Sequence, residues 1–241
     1  MAAPSSTLIF GSTGLTGSQI LSTLLATLPP KPITTISRRQ PAGSSSPNLT
    51  TVLEADSTKW APAVASVTPK PDTVISALGT TRAQAGGLAN QWKIDHDLNI
   101  EIAKAAKDAG AKTFVFVSSA GTRGLLKSLA PYSKMKIGVE DAIRDLGFEQ
   151  AIILRPGALL GEREQHRAAE SILQTVMRNL DSVGLKDKMA VEGEVVGRAV
   201  AAALKTAGEG KAPEKYWILE NTDIVKLGRD TWKAESAAAA Q

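Results

Sequence analysis

Short apolar runs alternate along this chain with longer segments whose apolar residues recur at helical spacing. Most of the runs are continuous and do not alternate with polar residues, which is typical of strands buried on both faces of a parallel sheet. We predict strands at residues 7–10, 33–37, 51–54, 73–78, 113–117, 151–154 and 216–219. We predict helices at residues 15–28, 58–67, 91–109, 134–146, 166–180 and 194–207.

The repeated order of strand and helix indicates right-handed β-α-β crossovers. It predicts an α/β fold with a Rossmann-type, doubly wound parallel sheet of about seven strands. The length of 241 residues suits one domain, so we expect residues 1–241 to form a single dinucleotide-binding domain. The pattern becomes less regular from about Arg155, and we expect residues 156–215 to form a small C-terminal region that covers the substrate.

A glycine-rich turn directly follows the first predicted strand and leads into a helix. Gly11 permits a tight turn, Gly14 lets phosphate oxygens approach the backbone, and Gly17 lets the helix pack closely on its strand. The free N–H groups at the helix start would face an anion. The spacing is G-x-x-G-x-x-G, not the G-x-G-x-x-G of many dehydrogenases, and the alternative is a loop without a ligand. We predict that the whole turn binds a dinucleotide diphosphate, through Gly11, Ser12, Thr13, Gly14, Leu15, Thr16 and Gly17.

Two arginines, Arg38 and Arg39, directly follow the second predicted strand. NAD-selective sites usually carry an acidic residue near this point, where it holds the ribose 2′-hydroxyl. Guanidinium groups instead bind phosphate through charge-assisted hydrogen bonds. We therefore expect NADP (NADPH) to be preferred over NAD, the alternative being that both side chains are solvated loop residues.

Other cofactor contacts are expected after the third and fourth strands. The Asp56 carboxylate could accept a hydrogen bond from the adenine amino group or could cap the helix that follows, and the sequence does not distinguish the two. Leu78, Gly79 and Thr80 close the fourth strand, where Gly79 would let the backbone pass close to the cofactor's ribose.

A catalytic set is predicted from the end of the fifth strand onwards. Ser119 lies at the carboxyl end of that strand, where open α/β sheets bind ligands. Tyr132 comes 13 residues later, and Lys136 follows four residues after that, on the same helix face. A phenol with a pKa of about 10 is a poor acid or base at neutral pH. A neighbouring ammonium would favour the phenolate, so that Tyr132 could exchange a proton with a carbonyl or alcohol oxygen held by Ser119. The alternative is a packing tyrosine and a solvated lysine.

Composition narrows the classes of function. The net charge of +4 is small and dispersed, so we expect no nucleic-acid partner. The chain has no cysteine, which excludes disulfides, thiolate catalysis and cysteine zinc sites, and two histidines are too few for a histidine-rich metal site. We also expect no transmembrane helix, because no apolar run reaches about 18 residues. No basic side chain precedes Lys31, so we expect neither a signal peptide nor a cleavable transit peptide.

Together, the glycine turn, Ser119, Tyr132 and Lys136 resemble the short-chain dehydrogenase/reductase superfamily. Residues 10–17, 78–82 and 154–160 are similar to an atypical subgroup that contains the animal Tat-interacting oxidoreductase and the fungal "found in mitochondrial proteome" proteins, most of all to the fungal branch. The resemblance implies a Rossmann fold, bound NADPH and peripheral association with the mitochondrial outer membrane. It also implies that Pro156 and Gly157 lie beside the nicotinamide.

One position departs from the superfamily pattern. Many members place an asparagine in the helix before the fifth strand as a proton relay, whereas here Asp95 stands at that point and Asn99 lies one turn later. The relay is therefore in doubt, and either residue could serve in it.

The function predicted from the sequence is an NADPH-dependent oxidoreductase of the carbonyl reductase type, acting on a small carbonyl or alcohol substrate. One alternative is an NADPH-binding regulatory or scaffold protein at the mitochondrial outer membrane with little turnover. Another is isomerase or lyase chemistry with a tightly held cofactor. Peripheral membrane contact and an oligomeric state both remain open.

Overall fold

The computed structural model describes residues 6–27, 30–124, 127–160 and 189–232. Its strands are β1 Thr7–Phe10, β2 Ile33–Ser37, β3 Leu49–Leu53, β4 Thr73–Ser76, β5 Thr113–Val117, β6 Gln150–Arg155, β7 Ala158–Leu160, β8 Ala190–Glu192 and β9 Tyr216–Glu220. Seven of them form one sheet in the order β3-β2-β1-β4-β5-β6-β9. Every pairing in that sheet is parallel, which confirms the predicted Rossmann-type fold.

The described helices are α1 Leu15–Ala26, α2 Trp60–Ala63, α3 Leu88–Trp92, α4 Leu98–Asp108, α5 Pro131–Leu146, α6 Gly193–Gly208 and α7 Asn221–Val225. Shorter 3₁₀ segments lie at Ser57–Lys59, Val64–Ser66 and Lys127–Leu129, and π-helical segments lie at Lys93–Asp97 and Lys226–Thr231. None of the helices in this described part of the chain combines the length and the apolar character that a membrane-spanning helix requires.

Two hydrophobic cores lie on opposite faces of the sheet, because alternate strand residues point to opposite sides. On one face, Phe114 and Phe116 of β5 pack with side chains of α4 and α5. On the other face, Val115 of β5 packs with side chains of α1 and α6. Each central strand is thus buried on both sides, which explains its continuous apolar sequence.

Several element bounds differ from the prediction. The third strand begins at Leu49, before the predicted residue 51, and the fourth ends at Ser76, before the predicted residue 78. The segment predicted as one helix over residues 58–67 is a mixture of 3₁₀ and α turns around α2. The predicted helix over residues 91–109 begins earlier, at Leu88, and contains the π-helical segment Lys93–Asp97.

The region predicted to cover the substrate is only partly described. The predicted helix at residues 166–180 lies outside the described residues. Within the same region, β7 and β8 form an additional two-stranded parallel sheet that was not predicted. Helix α6 also belongs to this range, and it packs against α1 and the face of the main sheet.

Candidate functional site

The glycine turn connects β1 to α1 at the point where the strand order of the sheet reverses, between β1 and β4. Open α/β sheets bind ligands in the crevice at such a switch point. Gly11 has a φ of 80°, and a Cβ atom there would lie 2.6 Å from the carbonyl oxygen of Ala77. A Cβ atom on Gly17 would collide with the carbonyl oxygen of Gly11. The turn therefore requires glycine at these two positions because no other residue fits.

The start of α1 has the polar groups that an anion could bind. Gly14 is the N-cap residue, no side chain caps the helix, and its first turn carries no acidic residue. The N–H of Gly14 donates to the carbonyl oxygen of Gly11 at 3.0 Å and closes the turn. Among the described residues, the hydroxyl of Ser12 is the buried side-chain polar atom without a hydrogen-bond partner. These features fit a bound diphosphate.

The two arginines after β2 are exposed, and one of them reaches the glycine turn. Nη2 of Arg39 donates to the carbonyl oxygen of Thr13 at 3.3 Å. The hydroxyl of Ser37 in turn donates to the carbonyl oxygen of Arg39 at 2.8 Å and fixes the backbone there. Both guanidinium groups thus follow the strand next to β1, and that of Arg39 lies beside the turn.

Asp56 acts as the N-cap of the 3₁₀ segment Ser57–Lys59 in this structure. Its Oδ1 accepts from the backbone N–H of Thr58 at 3.0 Å and from the Thr58 hydroxyl at 2.7 Å. These hydrogen bonds from Thr58 hold the pKa of the Asp56 carboxyl below its ordinary value. The structure thus shows the capping role, and the contact with the adenine amino group stays a prediction.

The segment after β4 lies next to Lys136. Leu78 is buried, and the backbone N–H of Thr80 donates to Oδ1 of Asp95 at 2.7 Å. A Cβ atom on Gly79 would lie 3.9 Å from Nζ of Lys136. The backbone at Gly79 and the lysine ammonium therefore line the same part of the crevice.

Lys136 is buried at the carboxyl end of β5, with 3% of its surface exposed. Its Nζ donates to the carbonyl oxygen of Val117 at 3.2 Å and lies 4.8 Å from the ring centre of Phe116. Burial lowers the pKa of the Lys136 ammonium, and the negative charges of Asp95 and Glu140 counteract part of that effect.

The other two predicted catalytic residues lie at the same edge of the sheet. Ser119 is half-buried and comes two residues after Val117, the residue that accepts from Lys136. Tyr132 is the second residue of α5, one turn before Lys136, and 42% of its surface is exposed. The fold therefore gathers all three onto the end of β5 and the first two turns of α5.

Asn99 and Asp95, the two candidates for the proton relay, have different surroundings. The amide nitrogen of Asn99 donates to the carbonyl oxygens of Ile94 and Asp95, and its oxygen accepts from the Ser76 hydroxyl at 2.6 Å. The Asn99 side chain thus fixes the π-helical segment. The carboxylate of Asp95 is fully buried and also accepts from Nε2 of Gln91 at 3.3 Å. Burial raises the pKa of Asp95, an effect that the charge of Lys136 opposes.

The loop after β6 contacts the loop that carries Ser119. The N–H of Ala120 donates to the carbonyl oxygen of Pro156 at 2.8 Å. The N–H of Gly157 donates to Oδ1 of Asn221 at 2.7 Å, and a Cβ atom on Gly157 would collide with the carbonyl oxygen of Met189. Pro156 and Gly157 therefore lie next to the end of β5. The backbone of Met189 comes so close to Gly157 that a side chain would not fit there.

A buried ionic cluster beside the site was missed by sequence reasoning. It consists of Glu140 on α5, Arg155 at the end of β6, and Ser118, the residue before Ser119. One signal was available, because Tyr132, Lys136 and Glu140 follow one another at four-residue spacing and share one helix face. The sequence could not identify Arg155 as the partner, because Arg155 lies at the end of β6 and not on α5.

Comparisons with known proteins agree with this architecture. A family model described as "NAD dependent epimerase/dehydratase family" matches residues 7–216. Among solved structures, MoeE5 in complex with UDP-glucuronic acid and NAD superposes with a TM-score of 0.67 at 15% identity, over 89% of this chain and 75% of that one. The UDP-Glc/GlcNAc 4-epimerase from Campylobacter jejuni gives 0.67 at 16% identity, over 92% and 82%. At such identities the likeness shows the fold alone.

Much more similar relatives are found among fungal proteins. "Protein fmp52-2, mitochondrial" of Aspergillus oryzae is 58% identical over 227 residues, which are 93% of this chain and 97% of that protein. "Protein fmp-52, mitochondrial" of Neurospora crassa is 55% identical over 238 residues, 96% of this chain and 98% of that protein. These matches confirm the resemblance to the fungal branch. The chain therefore belongs to the NAD dependent epimerase/dehydratase family and, within it, to the fungal Fmp52 proteins.

Proposed function

We propose that this protein is an NADPH-dependent oxidoreductase of the carbonyl reductase type. The observation that carries the proposal is the position of Lys136. Its buried ammonium lies at the end of β5, beside Gly79, one turn after Tyr132 and near the strand end that carries Ser119. Family membership supports a nicotinamide dinucleotide as the cofactor, and the glycine turn has the shape and the free polar groups to hold its diphosphate.

The preference for NADP is supported by charge. Arg38 and Arg39 follow β2, and the guanidinium of Arg39 lies against the turn through its bond to Thr13. A 2′-phosphate at this point would gain charge-assisted hydrogen bonds from both. MoeE5 and the UDP-glucuronic acid 4-epimerase from Bacillus cereus are complexes with NAD, so the preference proposed here distinguishes this chain from those proteins.

Ser119, Tyr132 and Lys136 each have a separate role in carbonyl reduction. When bound, a reduced nicotinamide supplies a hydride to the carbonyl carbon. The Ser119 hydroxyl donates a hydrogen bond to the carbonyl oxygen and orients it. The Tyr132 phenol gives its proton to the same oxygen, and the Lys136 ammonium stabilises the phenolate that remains. In the oxidation of an alcohol the phenolate takes the proton back.

A second candidate is epimerase or dehydratase chemistry with a retained cofactor, because the family is described by those two reactions. Such a reaction would use the same Tyr132 and Lys136 for proton transfer but would leave the total amount of reduced cofactor unchanged. Net consumption of NADPH therefore separates the two candidates.

We also propose that the protein associates peripherally with the mitochondrial outer membrane. The relatives from Aspergillus oryzae and Neurospora crassa are named mitochondrial, which supports the organelle. Washing purified mitochondria with carbonate or high salt should release the protein. A wholly cytosolic protein would contradict the proposal.

The experiment for the activity is a panel of small carbonyl compounds incubated with NADPH, followed at the absorbance band of reduced nicotinamide and repeated with Tyr132→Phe. We expect NADPH oxidation with at least one carbonyl and a loss of about 100-fold or more in the variant. Equal turnover by both proteins would remove Tyr132 from the mechanism. A regulatory protein with little turnover would bind NADPH and oxidise none of it.

A further inference from the structure

Glu140 is a buried carboxylate on α5 that accepts hydrogen bonds from three side chains, with none of its surface exposed. Its Oε1 accepts from the Ser118 hydroxyl at 2.5 Å and from Nε of Arg155 at 3.1 Å. Its Oε2 accepts from Nη2 of Arg155 at 2.6 Å and from Nε of Arg123 at 3.1 Å. The Arg155 guanidinium thus binds both carboxylate oxygens, the geometry of a strong and directional ion pair.

The donors come from different parts of the chain, and two of the three adjoin residues of the proposed site. Ser118 directly precedes Ser119, and Arg155 directly precedes Pro156 and Gly157. Arg123 lies in the loop between β5 and α5. Glu140 itself lies one turn after Lys136 and two turns after Tyr132, on the same face of α5. One carboxylate therefore joins α5 to the ends of β5 and β6.

The charges of this cluster fix its geometry over the ordinary pH range. Burial would raise the pKa of the Glu140 carboxyl, but hydrogen bonds from Arg155, Ser118 and Arg123 outweigh burial and hold that pKa below its ordinary value. Glu220 binds Arg155 from the other side. Oε1 of Glu220 accepts a hydrogen bond from Nη1 of Arg155 at 2.7 Å. Both members of the buried pair thus stay charged, and removal of one leaves the other without its partner.

The adenosine half of the proposed cofactor site is built from other contacts. Its parts are the turn between β1 and α1 and the two arginines after β2, of which Arg39 bonds to Thr13. Within the described part of the chain, the side chains of Glu140 and Arg155 bond to each other and to Ser118, Arg123 and Glu220, none of which belongs to the adenosine half. The two halves of the site are therefore held by separate interactions.

We propose that Glu140, through its ion pair with Arg155, is a positioning residue for the nicotinamide half of the site and has no role in the adenosine half. The inference rests on the proposed function, since it assumes that NADPH binds across the ends of the strands. It predicts that disrupting the pair misaligns α5 relative to β5 and β6 and weakens only those ligands that carry a nicotinamide.

The test compares two ligands that differ in that half. NADPH fills both halves, whereas adenosine 2′,5′-bisphosphate lacks the nicotinamide, its ribose and the phosphate attached to that ribose. Binding of each is measured by titration calorimetry to wild type, Glu140→Gln and Arg155→Lys, and the emission of bound NADPH reports the surroundings of its ring. Asp141→Asn is the matched control, because Asp141 is the next carboxylate on α5 and also binds Arg123 but is only half-buried.

In both variants we expect NADPH affinity to fall by about tenfold or more, with a changed emission, while affinity for the bisphosphate changes by less than about twofold. The control should leave both affinities unchanged. Retained bisphosphate binding also shows that the variant is folded, so the loss cannot be ascribed to unfolding.

Other results would overturn the inference. Equal losses for both ligands, or loss of bisphosphate binding in both variants, would assign the cluster to overall stability. Unchanged affinities in both variants would show that the pair does not align the site. In each of these cases wild type still binds both ligands, so the proposed function survives. A wild type that binds neither ligand would contradict the proposed function together with the inference.

Discussion

At the scale of single residues, charge distinguishes the two ends of the candidate site. Arg38 and Arg39 are exposed cations at the end that would hold adenosine, where solvent allows a phosphate to enter. At the other end, Lys136 is a buried cation beside the buried carboxylates of Asp95 and Glu140. The first end suits the binding of a charged ligand, and the second suits control of a proton in a poorly solvated space.

The arginines carry the first prediction. The double variant Arg38→Ala, Arg39→Ala should lose about 10- to 100-fold in NADPH affinity, because it loses charge-assisted bonds to the 2′-phosphate, while NADH affinity stays the same. Titration calorimetry with both cofactors measures this difference. Arg198→Ala, which removes a half-buried arginine of α6 that pairs with Glu194, is the control. Unchanged discrimination between the two cofactors would refute the role given to the pair.

Tyr216 carries a prediction about alkaline pH. Burial, with the charge of Glu140 adding to it, raises the pKa of Tyr216 to about 12, and its hydroxyl donates to the carbonyl oxygen of Glu140 at 3.0 Å. The folded state therefore keeps this proton at a pH where the unfolded state, with a pKa of about 10, releases it. Stability from this group is complete below pH 10 and falls as the pH rises towards 12.

The absorbance of tyrosinate measures the ionisation of Tyr216 directly, because the chain has only two tyrosines. We expect wild type to show an ionisation near pH 12 that Tyr216→Phe lacks. A titration in which both tyrosines ionise together near the ordinary value would contradict the burial argument.

At the scale of elements, the glycine turn is where local sequence determined the structure most completely. The bounds of β1, β2 and β5 match their predicted residues, since each is a short run dominated by apolar and β-branched residues between clear stops. The start of α1 was also predicted, because the spacing of Gly11, Gly14 and Gly17 fixes the turn before it. These strand bounds and this helix start depend on residues that are close in sequence, so the sequence alone predicts them.

Gly17→Ala tests the close packing of this turn. The added Cβ would collide with the carbonyl oxygen of Gly11, so we expect a loss of about 1–3 kcal/mol in the free energy of unfolding and a large loss of NADPH affinity. Gly208→Ala is the matched control, because no atom lies within 4 Å of a Cβ there. Urea denaturation of both variants gives the comparison, and equal stability would show that the turn tolerates a side chain.

Features that depend on distant residues were not predictable in the same way. The ion pair of Glu140 and Arg155 joins α5 to β6, and only the folded chain brings the two together. The strands β7 and β8 pair across residues 161–188, so neither alone has the signature of a sheet. The π-helical segment Lys93–Asp97 depends on Asn99, whose bonds to Ile94 and Asp95 occur inside an otherwise ordinary helical pattern.

Asn99→Leu tests that last dependence. The variant keeps the side-chain volume but leaves the hydroxyl of Ser76 and the carbonyl oxygens of Ile94 and Asp95 without their partner. We expect a loss of about 1–3 kcal/mol in the free energy of unfolding, measured by urea denaturation. The control is Asn90→Ala, which removes an exposed amide bonded to Ala85. A loss no larger than the control's would show that the π-helical segment forms without Asn99.

At the scale of the whole molecule, the sheet brings the predicted residues together because all its strands run in one direction. The ends of β1, β2, β4, β5 and β6 then form one edge, and residues far apart in sequence meet there. The Fmp52 relatives match over nearly the full length of this chain, so the same arrangement is expected throughout the group.

A crystal structure of the full chain soaked with NADPH tests the central claim most directly. The diphosphate should lie at the glycine turn before α1, with the 2′-phosphate beside Arg38 and Arg39. The nicotinamide should lie between Gly79 and the loop after β6, within reach of the Tyr132 hydroxyl. A crevice that stays empty at saturating NADPH, or a ring bound away from Tyr132, would contradict the claim.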